Sequence, residues 1–349
     1  MSSYTETRAD VVEFFPQIKY GMPLAICDRS LAYHIGIHNK TLWYLISANS
    51  KLYTSFSIAK RGKSRSFRAI HDPDKRLKRV QRVFLARFLN KIPMSPHIGA
   101  YVLGRSCLDT AKQHVKSSVI VSMDIKDFFP SVRRATIRKC FKSYGYNHRV
   151  ASLIAGLVTF RGSLPQGAPT SGAIANLVAN WAFDQNIMRD LAAIDTGWRY
   201  TRYSDDIDVS HPEKRSREEV FEVINCVRVH VSRGGFRIND EKTKTESYWN
   251  RQTVLGVVVN TKPNIARFEY ERVKAIIHNC LVDGFVAQTP RSGCASTGAL
   301  ISHLRGKLAY FQQIAPRKAA KLRQVFDVAQ EIHRDETKDE VDFGTIGTV

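Results

Sequence analysis

Two hydrophobic periods alternate along the chain and predict an α+β protein. In "LAYHIGIHNKTLWYLI", Leu31, Ile35, Leu42, Leu45 and Ile46 recur at helical spacing, so residues 1 to about 50 read as a helical N-terminal extension. "YTSFSIAKRGKSRSFRAIHDP" alternates around a Gly-bearing turn and predicts a basic hairpin. "KRLKRVQRVFLARFLNKI" is amphipathic, with Leu77, Val80, Phe84, Leu85 and Phe88 on one face, and Pro93 and Pro96 punctuate its end. The β-branched run in "SSVIVSMDIKDFFPSV" predicts a buried strand that stops at Pro130. Helical patterns follow over Arg134 to Ser143 and over "SGAIANLVANWAFDQNIMRDLAA". "RYTRYSDDIDVS" then reads as two strands about a tight turn, "REEVFEVINCVRVHVSRGG" as a helix and "TVLGVVVN" as a short strand. From Arg267 to about Asp335 the pattern is helical and basic, and the acidic, Gly-bearing tail of residues 336–349 is expected to fray. There is no internal repeat.

Composition narrows the partners. Apolar residues make up 43% and charged residues 24% of the 349, the balance of a soluble globular protein with room for two or three subdomains. Lys and Arg number 53 against 32 Asp and Glu, a formal charge of +21. Such a surplus suits a polyanion, nucleic acid before an anionic membrane. No apolar run approaches the roughly 18 residues of a membrane span. The opening "MSSYTETRADVVEFF" lacks a signal-peptide layout. Six cysteines without a C-x-x-C pair argue against zinc and for reduced thiols, so the expected location is cytoplasmic.

Against this positive background, carboxylates stand out at two strand ends. Asp205 and Asp206 sit in the tight turn, and Asp124 ends the hydrophobic strand 81 residues earlier. Taken alone, Ser-Asp-Asp is ordinary turn chemistry and Asp124 a surface residue at a strand end. Joined at one point, three carboxylates would repel and raise one another's pKa unless a cation neutralised them. Mg²⁺ prefers oxygen ligands and bridges carboxylates to phosphates. Two such ions about 3.5–4 Å apart stabilise both oxygens of a phosphoryl displacement. That chemistry belongs to a nucleotidyl transferase or a nuclease.

In this order, "MDIKDFFPS", "LPQGAPTSGAIANL", "RYSDDIDVS", "INDEKTK" and "VLGVVVN" resemble the successive palm motifs of reverse transcriptases, and "KRGKSRSFRAIHDP" resembles the fingers hairpin before them. The resemblance spans residues 55 to 260 and is nearest to the bacterial retron type. "TAKQH" is similar to a retron N-A-x-x-H and "VLG" to a retron V-T-G, with Thr110 in place of Asn and Leu255 in place of Thr. In "TSG", glycine stands where proline commonly follows the serine. The resemblance implies a right-hand polymerase: fingers over 51–118, palm over 119–260 with an antiparallel sheet, and helical thumb over 261–335.

The resemblance also implies roles. Asp124, Asp205 and Asp206, with the carbonyl of Ile125, would hold two Mg²⁺ ions. Phe129 would be the steric gate that rejects a 2′-hydroxyl; the plainer reading is core packing with Phe128, and one of the two rings is expected to do that. Gln166 would line the incoming dNTP, Gly167 would allow close backbone approach, and Arg68 would grip the triphosphate, assisted by Lys60 or Lys63. Lys242 suits protonation of the pyrophosphate leaving group, with Lys244 as its rival. Asp208 is expected to face solvent or stand behind the metal ligands. His114 would order the fold or touch RNA, and Arg305, Lys307, Arg317, Lys318, Lys321 and Arg323 would meet a phosphate backbone. A retron enzyme would copy one structured non-coding RNA into single-stranded DNA. Priming from an internal guanosine 2′-OH would leave that DNA branched to the RNA. It would serve antiphage defence beside a separate effector protein. Two alternatives stay open: another bacterial reverse transcriptase, of abortive-infection or intron type, and a catalytically silent RNA-binding scaffold.

Overall fold

The structure is a computed structural model and describes residues 19–59 and 67–337. Lys60, Lys63, the first 18 residues and most of the acidic tail lie outside the described residues. The chain forms two compact units, one from residues up to 110 with 119–245, the other from 111–118 with 246 onward.

In the first unit the described part of the N-terminal extension carries two α-helices, α1 (Asp28–Ile35) and α2 (Asn39–Ser47). Gly36 ends α1 in the left-handed region at φ 80°, where a residue with a Cβ would be strained. The hairpin β1 (Tyr53–Ala59) and β2 (Phe67–Pro73) pairs antiparallel with Ile58 opposite Arg68. Asp74 caps α3 (Lys75–Arg87), which buries Leu77, Val80 and Phe84. After α4 (Cys107–Lys112) comes β3 (Val119–Asp124).

The strand expected to run to Pro130 stops at Asp124 instead. Asp127 takes a left-handed φ of 49°, and residues Phe128–Ser131 wind into a short helix, α5. Proline is tolerated there because first-turn N–H groups have no intrahelical acceptor. Then follow α6 (Arg134–Ser143), α7 (His148–Val158) and α8 (Ser171–Ala179), the last running through a π turn at Asn180–Asp184 into α9 (Gln185–Ile194). The strands β4 (Arg199–Tyr203) and β5 (Asp206–His211) precede α10 (Arg217–Arg233), whose Ser216 and Glu219 form a capping box, and β6 (Lys244–Ser247). The sheet order is β4-β5-β3-β6, with β5 antiparallel to both neighbours. Its core includes Val121, Met123, Ile207, Val209, Ile174 and Phe183.

The second unit holds a small sheet and a helical array. "TVLGVVVN" is a hairpin rather than one strand: β7 (Thr253–Val254) and β8 (Val257–Val258) flank Leu255 and Gly256, at φ 51° and 82°. Two successive positive φ values suit a two-residue antiparallel turn. After β9 (Asn264–Ile265) come α11 (Arg267–Asp283), α12 (Phe285–Arg291), α13 (Thr297–Ile314), α14 (Pro316–Ile332) and α15 (Arg334–Thr337). They bury Ile277, Phe285, Leu304, Phe311 and Phe326. Among the described residues no helix is long and apolar enough to cross a membrane, and the six cysteines are free.

Candidate active site

The β3–β5 register sets Asp124 directly opposite Asp206, and the β4–β5 register sets Tyr203 opposite Asp206. Ser204 and Asp205 therefore form a two-residue turn, with Ser204 at φ 61°. A tight turn of this kind holds its residues rigidly at the end of the sheet. The Ile125 N–H donates to the Asp205 carbonyl at 2.8 Å, which ties the segment after Asp124 to the same turn. The backbones of Asp124, Asp205 and Asp206 thus lie together at one end of the sheet.

Their electrostatics follow from that crowding. The Asp206 carboxyl is pushed up to about 6, first by loss of surrounding water and then by the negative charges of Asp205 and Asp124. The cations of Lys242 and Lys244 act in the opposite sense. Asp124 is nearly buried and accepts a hydrogen bond from Lys242 Nζ at 2.8 Å. That bond, opposed by partial desolvation, raises the lysine pKa and keeps the ammonium protonated. Asn239, absent from the sequence-predicted site, donates its backbone N–H to the Asp124 carbonyl at 2.7 Å and its amide to Oδ1 at 3.4 Å. Its place three residues before Lys242 was the only signal. Crowded carboxylate oxygens of this kind fit a hard divalent cation. Among the described residues no three acidic, His or Cys side chains already gather around one point; the Lys242 ammonium balances Asp124 in this arrangement.

Beneath the turn lies a polar network that sequence reasoning also missed. Arg202, fully buried on β4, grips both oxygens of Asp184 at 2.8–3.1 Å and donates to the Asn176 side chain and the Ser204 carbonyl, each at 3.0 Å. Tyr200 Oη donates to the same Asp184 at 2.6 Å, and the guanidinium lies 5.5 Å from the Phe128 ring centre. A buried charge is tolerable when it is paired and every donor is used. The signal was present as an arginine inside a strand and an aspartate inside an apolar helix.

Asp124 and Asp205 open on a cleft of about 600 Å³ also lined by Arg68, Tyr101, Ile125, Phe129, Gln166 and Lys242, among others. Phe128 and Phe129 differ in burial. Phe128 is 3% exposed and packs on Phe236, whereas Phe129 is only partly buried and faces Tyr101. The Gln166 carbonyl accepts from the His71 N–H at 2.8 Å. Next to it, Gly167 has φ 122°, and a Cβ there would meet the His71 carbonyl at 3.0 Å. The close approach that glycine permits is to β2 itself. Asp208, expected at solvent or behind the metal ligands, is buried and accepts from Ser122 at 2.5 Å.

The proposed nucleic-acid contacts separate into two kinds. His114 is completely buried in the second unit. Lys307 is ion-paired with Glu269, and Lys318 donates to Asn264 at 3.2 Å above the Tyr270 ring. Arg305 and Lys321 stand exposed on α13 and α14.

Residues 58–263 match the family described as reverse transcriptase (RNA-dependent DNA polymerase). The chain is 33% identical to the Retron Mx65 reverse transcriptase of Myxococcus xanthus, over 87% of this chain and 72% of that one. Against the Retron Ec86 reverse transcriptase of Escherichia coli the identity is 28%, over 90% and 92%. Against the Retron Ec73 reverse transcriptase of the same species it is 32%, over 78% and 86%.

Proposed function

Given that the chain belongs to the reverse transcriptase family, of the retron type, and is an RNA-directed DNA polymerase, we propose that it builds DNA at the Asp124–Asp205–Asp206 end of the sheet. The carrying observation is the register that faces Asp124 with Asp206 beside the Ser204–Asp205 turn, at a cleft also lined by Arg68 and Gln166. Asp124, Asp205, Asp206 and the Ile125 carbonyl would hold two Mg²⁺ ions. When bound, such ions lower the cost of charge on the attacking and leaving oxygens. Arg68 grips the triphosphate, Gln166 lines the base side of the dNTP, and Phe129 lies under the sugar. Lys242, kept protonated beside Asp124, is placed to give its proton to pyrophosphate.

In this reading the hand is laid out along the chain. The β1–β2 hairpin and α3 belong to the fingers, the four-stranded sheet to the palm, and the helices from α11 onward to the thumb. The template is a cognate structured non-coding RNA. Synthesis starts from an RNA 2′-OH, and the single-stranded DNA product stays branched to the RNA. The working setting is antiphage defence in the cytoplasm, with a separate effector protein. The names of the relatives support a retron, and the exposed Arg305 and Lys321 support contact with a nucleic-acid backbone.

The test is initiation, because ordinary primer extension is common to all reverse transcriptases. Expressed with its native flanking DNA, the protein should co-purify with single-stranded DNA linked to RNA, and a debranching enzyme should shift that DNA's mobility. Unbranched DNA from that locus would overturn the branched-priming reading and leave the polymerase assignment standing.

A further inference from the structure

Tyr101 lines the active-site cleft, yet none of the roles above uses it. It lies in the loop before α4 with φ 55°, a left-handed conformation that costs free energy for any residue with a Cβ. Such strain persists only where the surroundings over-determine it, and here they do. The Arg105 guanidinium donates to the carbonyls of Met94, Ser95 and Ile98. Gly99 N–H donates to the Arg202 carbonyl and Arg202 N–H to the His97 carbonyl, both at 2.9 Å. The Asn176 amide donates to the Ala100 carbonyl next door. The backbone is pinned immediately before and shortly after Tyr101.

The pinned side chain is not there to fill a core, since Tyr101 is 55% exposed. Its ring meets Phe129 edge-on, with centroids 6.0 Å apart and planes at 66°. The Ser204 hydroxyl, in the turn that carries Asp205, lies 3.5 Å from its Oη. The third contact is the closest. A Cβ built on Gly172 would stand 2.3 Å from Tyr101 Cγ, so only glycine leaves room for the ring. This is the glycine of "TSG", at the position where the motif commonly has proline. The departure from the motif and the strained tyrosine therefore explain each other: the missing side chain on α8 is the space that the ring occupies.

We infer that Tyr101 is a positioning residue for sugar discrimination: its ring braces Phe129 against the catalytic turn, in a seat that Gly172 provides. Edge-to-face contact restricts rotation of the partner ring. A gate that rejects a 2′-hydroxyl must not turn aside when the hydroxyl arrives. The inference rests on the reading of Phe129 as the gate, and the experiment separates the two.

The measurement is the ratio of dNTP to rNTP incorporation efficiency on a primed RNA template, for folded enzymes of matched active fraction. Phe129→Ala reports on the gate itself. Tyr101→Ala should lower the ratio by about threefold to tenfold, the scale of one aromatic pair, while Tyr101→Phe, which keeps the ring, should preserve it. Gly172→Ala should change the ratio when Tyr101 is present and leave it unchanged in the Tyr101→Ala background, because the added methyl then has no ring to displace. A merely structural tyrosine would lower both incorporation rates together and leave the ratio alone. If Phe129→Ala changes the ratio and Tyr101→Ala does not, the bracing role is overturned and the gate stands. If neither changes it, the gate reading fails and the bracing role with it. Should Tyr101→Ala not fold, an equal effect of Gly172→Ala in wild-type and Tyr101→Phe enzymes supports the inference, and no effect in either overturns it.

Discussion

Asp124 accepts a hydrogen bond from the Lys242 ammonium and faces Asp206 across a β ladder. Asp205 sits in the adjoining turn and lines the cleft. Asp205→Ala or Asp124→Ala is expected to reduce Mg²⁺-dependent DNA synthesis on RNA by more than about a thousandfold, since the transition state loses a cation's charge with the ligand. Near-normal extension by the folded variant would remove these residues from the metal site. Lys242→Ala should slow the single-turnover step more than it weakens dNTP binding, because a general acid acts in the transition state. Lys244→Ala should be the milder change, and the reverse order would transfer the role to Lys244. Both lysines were visible in the sequence as rivals. Only the 2.8 Å contact with Asp124 favours one of them, because that contact joins residues 118 apart in the chain.

The element on which the site depends is the β4–β5 hairpin. Its turn is short enough to fix Asp205 and Asp206, and Arg202 fixes the turn from below through Asp184 and the Ser204 carbonyl. Asp184→Ala would leave a buried guanidinium without its counter-charge. The expected cost is about 3–5 kcal/mol, read from the urea midpoint. A loss below about 1 kcal/mol would mean that the pair behaves like an exposed one. Element types were mostly legible from hydrophobic period: the β1–β2 hairpin, α3, α6 and α10 all fall where the pattern put them. Element ends were less so. The strand before "DFFPS" ends at Asp124, and "TVLGVVVN" folds back on itself, because single residues at positive φ (Asp127, Leu255, Gly256) override the apolar run.

Across the whole molecule, a formal charge of +21 makes RNA affinity a matter of counterion release. Affinity for a single-stranded RNA should fall steeply between about 50 and 200 mM salt, with a log–log slope of about −0.7 for each phosphate contacted. Arg305→Ala and Lys321→Ala should each flatten that slope by about one contact. Lys307→Ala should leave it unchanged and cost some stability instead, because that ammonium is already paired with Glu269. An equal flattening by all three would show that the Glu269 pair opens when RNA binds.

By itself the sequence pointed to a class of chemistry: aspartates at strand ends and a strong positive charge suit phosphoryl transfer on nucleic acid, and the ordered motifs resemble those of reverse transcriptases. Those features are local, carried by residue type and spacing within short stretches, so they survive without coordinates. The tertiary structure alone decided burial and partnership. It sent Phe128 inward and left Phe129 at the cleft, buried His114 and Asp208, paired Arg202 with Asp184, and set Tyr101 into the space above Gly172. Each of these depends on two or more stretches of chain, in several cases 70 or more residues apart, arriving at one place. A single residue's type carries little trace of that arrival, because the same aromatic ring or charged group is stable in either setting until its neighbours are present.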